Sequence, residues 1–268
     1  MYQTWLWFFM SRCKAVQENE TVWDSIATAE RDWFPVVGHE KIERARAGQL
    51  EIHVTAQRSV PVDWLQPIEG RKVLCLAAGG GQQAPLLAAA GAEVTVFDLS
   101  RQQLERDQHV AKRESLTVHT VQGDMTDLSV FSDGSFDLIV NPCSVCYCPN
   151  LFPIWQECYR VLGPMGSLIT GLINPVNFLF DEQEAARGSF RAAHRIPYSD
   201  LDLSAEQREK ILGDVRPIRF GHSLTEMLGG LNRAGFQLDG FFEDRWGDGD
   251  KLSELIDLFI GIRATRPG

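Results

Sequence analysis

From Arg71 onward the chain alternates short apolar runs with amphipathic stretches. Lys72–Ala77, Glu93–Leu99, Thr117–Val121, Phe136–Asn141 and Ser167–Ile173 are hydrophobic runs of strand length, bounded by turn-forming or polar residues. Strands buried on both faces read this way, and their alternation with helical segments predicts βαβ units and a parallel sheet covered on both sides. Two later runs, Phe236–Phe242 and Leu258–Ala264, bring the expected count to seven strands.

Local signals place the helices between them. Ser100 with Gln103, and Ser223 with Glu226, have the spacing of capping boxes, and Gly235 stands where a helix-terminating glycine belongs. Residues 1–70 are helical and Trp-rich in pattern (Trp23, Trp33, Trp64) and are interrupted by Pro35, Gly38, Pro61 and Pro67, which predicts a helical cap ahead of a main domain over 71–268. Residues 174–222 are too many for a plain connection, so they are expected to carry elements of their own and to cover something. Within them Arg187, Arg191 and Arg195 would share one face of a helix. That face reads as solvated and salt-bridged, with an anion clamp as the alternative.

Composition narrows the class. Of 268 residues, 44% are hydrophobic and 23% charged, the balance of an ordinary globular protein. The formal charge of −10 disfavours nucleic acid and anionic membrane surfaces as partners. The apolar opening Trp5–Met10 is far short of the roughly 20 residues that span a bilayer, so no membrane segment is expected and the chain reads as cytoplasmic. Six cysteines, four of them crowded at Cys143, Cys146, Cys148 and Cys158, fit reduced thiols better than a disulfide framework.

The candidate chemistry lies at strand ends. Val73 to Leu76 run into Ala77-Ala78-Gly79-Gly80-Gly81 and then Gln82-Gln83, a strand that turns through glycines into a helix. Such a turn lets backbone approach a ligand and presents free N–H groups at the helix start. Asp98 ends the second strand 19 residues after Gly79, near the spacing at which a carboxylate receives ribose hydroxyls. Gln122-Gly123-Asp124-Met125 closes the third strand with an acceptor and an apolar side chain suited to an adenine amino group and ring face. By these features alone an NAD-dependent oxidoreductase and a non-catalytic nucleotide-binding or scaffold protein stand as alternatives.

In this order the residues resemble the class I S-adenosylmethionine-dependent methyltransferases over roughly 71–265. The resemblance rests on the glycine loop, Asp98, Gly123-Asp124-Met125, Phe136-Asp137-Leu138-Ile139, and the stretch Glu157 to Ile169 with its Gly163-Pro164-Met165-Gly166 turn. It implies a Rossmann-like α/β fold with an antiparallel last strand and S-adenosylmethionine as cofactor. A methyl group would be transferred by in-line displacement to a small-molecule acceptor. It further implies that Gly79–Gly81 hold the amino-acid portion of the cofactor, Asp98 the ribose, and Asp124 with Met125 the adenine. Ala77, Ala78, Gln82, Gln83, Leu99, Gly123, Asn141 and Cys143 complete the expected cofactor-binding set. The chain departs from the family pattern where an acid and a first glycine are common: it has Cys75 and Ala77. Gln82 and Gln83 are expected to compensate with amide acceptors.

Cys143-x-x-Cys146-x-Cys148 follows the fourth strand, where ligands bind in open α/β sheets. No second thiol pair or nearby histidine completes a zinc set, so no metal is expected. Should the acceptor need to lose a proton, Tyr147 and His222 are the first candidates for a base.

Overall fold

The computed structural model describes residues 2–29, 35–204, 206–208 and 216–268, with side chains described from residue 15 onward. Trp33 and the side chains of Trp5–Met10 therefore lie outside the described residues.

Three helices precede the sheet: α1 (Tyr2–Thr28), α2 (His39–Arg46) and α3 (Val62–Leu65). Then β1 (Lys72–Leu76), α4 (Gln83–Ala89), β2 (Glu93–Asp98), α5 (Arg101–Glu114), β3 (Val118–Gln122), β4 (Phe136–Asn141), α6 (Phe152–Val161) and β5 (Leu162–Ile173) follow in the predicted alternation. Residues 174–222 contain a short α7 (Glu182–Ala186) and a two-stranded ribbon, β6 (Tyr198–Ser199) with β7 (Phe220–Gly221). A π turn at Thr225–Gly229 leads into α8 (Gly230–Ala234), and β8 (Gln237–Asp244) and β9 (Phe259–Thr265) finish the chain.

The main sheet has seven strands in the order β3-β2-β1-β4-β5-β9-β8. β1 to β5 are parallel, while β9 runs antiparallel to both β5 and β8, as expected of the last strand. Strand alternation divides the core. Val73, Cys75, Val94, Val96, Leu138 and Val140 face α4, α5 and the residues of α2 and α3, whereas Leu74, Leu76, Phe97, Ile139 and Leu168 face α6 and α8. On the second face Trp155 is fully buried, and each large side chain so placed contributes about 1.5–3 kcal/mol.

Three local expectations are corrected. β5 begins at Leu162 rather than Ser167, because the chain pairs with β4 at Phe136↔Leu162, bulges out through Gly163–Gly166, and pairs again at Leu138↔Ser167. Only half of the first capping box forms: Ser100 Oγ accepts from Gln103 N–H, but the Gln103 amide turns to the Trp23 carbonyl of α1. Ser223 and Glu226 make the full reciprocal box. The arginine face is absent as well, since α7 ends at Ala186 and Gly188 (φ +82°) turns the chain away from helical geometry.

Candidate active site

The parallel strands β1 to β5 end along one edge of the sheet, and the glycine loop lies there between β1 and α4. Ala77 (φ +46°), Gly80 (φ +125°) and Gly81 (φ +71°) occupy the left-handed region, which costs glycine little and alanine about 1–2 kcal/mol. A Cβ at Gly79 would stand 2.9 Å from Gln103 Cβ, and one at Gly81 would stand 3.0 Å from Val110 Cγ2. The loop therefore lies against α5 so closely that only glycine fits.

Asp98 holds this loop from β2. Its Oδ2 accepts from Gly79 N–H at 2.8 Å and its Oδ1 from Ser100 N–H at 2.9 Å. Burial pushes the carboxyl up, opposed by these same donors. A second carboxylate, Asp107 of α5, reaches the loop from behind: Oδ2 accepts from Gly80 N–H at 2.9 Å and the residue has no exposed surface. Burial raises it to about 7. Asp107 escaped the sequence reading, yet a signal was present. It occupies the inward stripe of α5 with Leu104, Val110 and Ala111, where an acid is out of place without a partner.

At the end of β3, Gly123 N–H donates to the Asp98 carbonyl, and a Cβ on Gly123 would fall 2.2 Å from the Phe97 ring. Asp124 Oδ1 accepts from both the backbone and the hydroxyl of Thr126, which fixes the loop, while Met125 packs on the second core face. Leu99 is half-buried, and its carbonyl accepts from Gln122. The arrangement brings Ala77–Gly81, Asp98, Leu99 and Gly123–Met125 to one end of the sheet.

Other expected site residues have different work. Gln83 Oε1 accepts from His53 N–H and Gln82 Nε2 donates to the Pro35 carbonyl, so both tie the N-terminal residues to the start of α4. Asn141 is buried with its donors on the Leu76 carbonyl and Ser144 Oγ and its acceptor on Thr170. It braces β1, β4 and β5 and leaves no hydrogen turned to a ligand. Cys143 (φ +32°) packs with Ala56, Ile173 and Phe180 beneath the insertion. Tyr147 meets Trp23 edge-on at 5.3 Å, and burial pushes its phenol well above the ordinary value. His222 is buried: Nε2 donates to the Cys148 carbonyl at 2.9 Å, and burial lowers its pKa.

The roof comes from distant segments. Asn19 of α1 donates to the carbonyls of Tyr147 and Ile218 and accepts from Ile218 N–H. Asp24 accepts from Ser100 Oγ at 2.5 Å and from Gln102 N–H at 3.1 Å, which extends the cap of α5. In the insertion Arg219 pairs with Glu182 at 2.6 Å and with Asp200 at 3.6 Å, and Arg216 pairs with Glu182 as well. The aromatic rings of Phe178 and Tyr198 stack below them. Among the described residues, no group of three His, Cys, Asp or Glu side chains gathers in a way that could hold a metal ion. No helix of the described residues is long and apolar enough to cross a membrane.

Comparison with known proteins bears on this geometry. The methyltransferase-domain family matches residues 74–170. A Bacillus subtilis (strain 168) protein, the uncharacterized methyltransferase YbaJ, is 47% identical over 252 residues, 94% of this chain and 98% of that protein. The malonyl-[acyl-carrier protein] O-methyltransferase of Enterobacter lignolyticus (strain SCF1) is 28% identical over 66% of this chain and 62% of its own length. Among solved structures, an S-adenosylmethionine-dependent methyltransferase from Mesorhizobium loti superposes with a TM-score of 0.60 at 18% identity, covering 76% of this chain and 94% of that one.

Proposed function

The chain belongs to the class I S-adenosylmethionine-dependent methyltransferases, and from that premise we propose that it methylates a small-molecule acceptor held between the strand ends and the 174–222 insertion. Membership sets aside the NAD-dependent and scaffold alternatives. The observation that carries the site assignment is the glycine loop itself: three residues without Cβ, with Asp98 bound to Gly79 N–H at the end of the neighbouring strand. A Cβ at any of the three would meet α5, Asp98 or Val36, so the loop is held close against its neighbours, and Asp98 keeps lone pairs for hydroxyl donors. The residues present therefore fit the cofactor, with Ala77–Gly81 toward its amino-acid portion, Asp98 and Leu99 toward the ribose, and Gly123–Met125 toward the base.

When bound, S-adenosylmethionine would supply a methyl group on a sulfonium, with a neutral thioether as the leaving group that needs no protein acid. The chain's task is alignment and exclusion of water. Burial raises the Tyr147 phenol and so disfavours its phenolate as a base, while it lowers His222 and favours the neutral imidazole, whose Nε2–H is held on the Cys148 carbonyl. Past the ends of β4 and β5, Cys143, Ile173, Val176, Phe180 and Phe190 pack against Leu252, Leu258 and Phe259, and on this reading that apolar cluster borders the acceptor. The arginines beside it, Arg216 and Arg219, are engaged by Glu182 and Asp200. That lining supports an acceptor with apolar or aromatic character over a polyanion, in keeping with the net charge of −10. A cytoplasmic location belongs to the same proposal, supported by the free thiols of Cys75, Cys143, Cys146, Cys148 and Cys158.

Methyl-labelled S-adenosylmethionine incubated with the protein and a fractionated cell extract tests the acceptor class. Label is expected in the fraction that passes an ultrafiltration membrane. Label confined to nucleic acid or protein would overturn the small-molecule reading.

A further inference from the structure

We propose that Asp107 is a positioning residue for the cofactor: from the inward face of α5 it sets the glycine loop and supplies the negative charge that Cys75, on β1, does not. The inference rests on the cofactor-binding reading above and extends it to a residue on a different element.

The geometry is specific. Asp107 is fully buried, its Oδ2 accepts from Gly80 N–H, and its Oδ1 has no hydrogen-bond partner. A buried carboxyl with an idle oxygen is a cost to folding, and packing alone gives no reason for it. The glycine loop runs directly over the surrounding part of α5: Cβ atoms at Gly79, Gly80 and Gly81 would meet Gln103, Gln103 Oε1, and Val110 with the Arg106 carbonyl, respectively. The groups facing the carboxyl are the N–H groups of Gly80 and Gly81 in the loop, Asp98 on β2, Cys75 on β1 and Arg106 on its own helix.

Cys75 makes the swap intelligible. Asp107 raises the thiol's pKa further beyond what burial does, so the two side chains are electrostatic neighbours. An acid at position 75, common in the family, would meet Asp107 as a like charge in a buried place, and the pair would resist double ionisation. One carboxylate per site is the stable solution, and in this chain it is carried by α5. Its field and that of Asp98 fall together on the loop. A ligand that brings an ammonium and a sulfonium requires that sign.

Because burial places Asp107 at about 7, its charge depends on pH in the neutral range. The folded chain binds this proton more tightly than the unfolded one, where the carboxyl has its ordinary value of 3.8. The group's contribution to stability is therefore full below that value and declines as pH rises through about 7. Cofactor affinity should move the other way, rising as the carboxyl ionises.

Calorimetry with S-adenosylhomocysteine at about pH 5.5 and 7.5 tests this, since its amino group is still mostly protonated at the higher value. The full-length protein, Asp107→Asn and the double variant Cys75→Asp/Asp107→Asn are compared at both pH values. Expected are an affinity at least tenfold weaker for Asp107→Asn at the higher pH, a flatter pH dependence than the parent, and substantial recovery in the double variant. Thermal melting alongside should show Asp107→Asn no less stable than the parent at neutral pH, which separates positioning from folding. Undiminished affinity and an unchanged pH slope in Asp107→Asn overturn the role of Asp107 alone. If that variant does not fold, the parent decides: an affinity flat over the interval also overturns it. A parent that binds no cofactor analogue overturns the cofactor-site reading itself, a distinguishable result.

Discussion

The two halves of the crevice are built by different means. The half proposed above for the cofactor, over β1, β2 and β3, is made of loops that leave one strand and enter the next element within a few residues, with contacts such as Gly79 to Asp98 that span short stretches of chain. Gly79 and Asp98 are 19 positions apart, and Ser100 caps the helix that follows its own strand. The half proposed above for the acceptor, over β4 and β5, is assembled from remote pieces. Asn19 binds Ile218 across 199 positions, and Thr55 binds Asp244 across 189. A nucleotide-like cofactor can be held by a contiguous motif, whereas an acceptor site is closed by whatever segments the chain brings over it. The first half is therefore rigid and local, and the second is open to variation without loss of the sheet.

Removing one partner from a buried charge group should show the separation most strongly. Arg219→Leu leaves the buried Asp200 without a cation while Glu182 keeps Arg216, and a loss of about 3 kcal/mol is expected in denaturant unfolding. The acceptor half should loosen first, visible as faster amide exchange in β6 and β7, while S-adenosylhomocysteine affinity changes little. Equal weakening of cofactor binding would erase the distinction between the halves.

The junction between cap and sheet provides the next test. A Cβ at Gly171 of β5 would lie 1.7 Å from the Val54 carbonyl oxygen, so Gly171→Ala must push residues around Val54 off the strand. The expected destabilisation is about 3 kcal/mol, measured by thermal melting, with acceptor turnover reduced more than cofactor binding.

The reverse pattern is expected of Asp98→Asn. Its amide would turn an N–H toward one of the two backbone donors now bound by the carboxylate. Loss of a charged acceptor of this kind is worth about 1.5–3 kcal/mol, or an affinity for S-adenosylhomocysteine roughly 10–100-fold weaker by calorimetry. Stability of the acceptor half should be unaffected.

The smallest effect is a gain. Ala77 holds a left-handed conformation that glycine adopts without penalty, so Ala77→Gly should raise stability by about 1 kcal/mol, read as a higher melting temperature. An unchanged or lower melting point would mean that the alanine methyl contributes packing that outweighs its strain.

Legibility followed the same division. The strands from Lys72 to Asn141 were readable because buried parallel strands are short apolar runs, and β4 matches its expected limits residue for residue. The early start of β5 was hidden because Gly163-Pro164-Met165-Gly166 reads as a turn, and only pairing with β4 on either side of it makes a strand. Gln82 and Gln83 look like ligands in sequence because they follow the glycines. Pro35 and His53, which bind them, come from the cap and leave no local trace. His222 reads as a surface residue beside a helix start, yet the fold buries it against the loop after β4.

Local chemistry along the chain was thus sufficient for the class of fold, the positions of the parallel strands, the glycine loop and the acid at the end of β2. Each depends on residues near one another in sequence, through backbone geometry and hydrophobic period. Tertiary structure alone decided that the second carboxylate at the loop comes from Asp107, that Asn141 and His222 are braces, and that α1 roofs the strand ends. Those outcomes depend on desolvation and on hydrogen bonds between remote segments, and both are properties of a packed interior, not of any stretch of sequence.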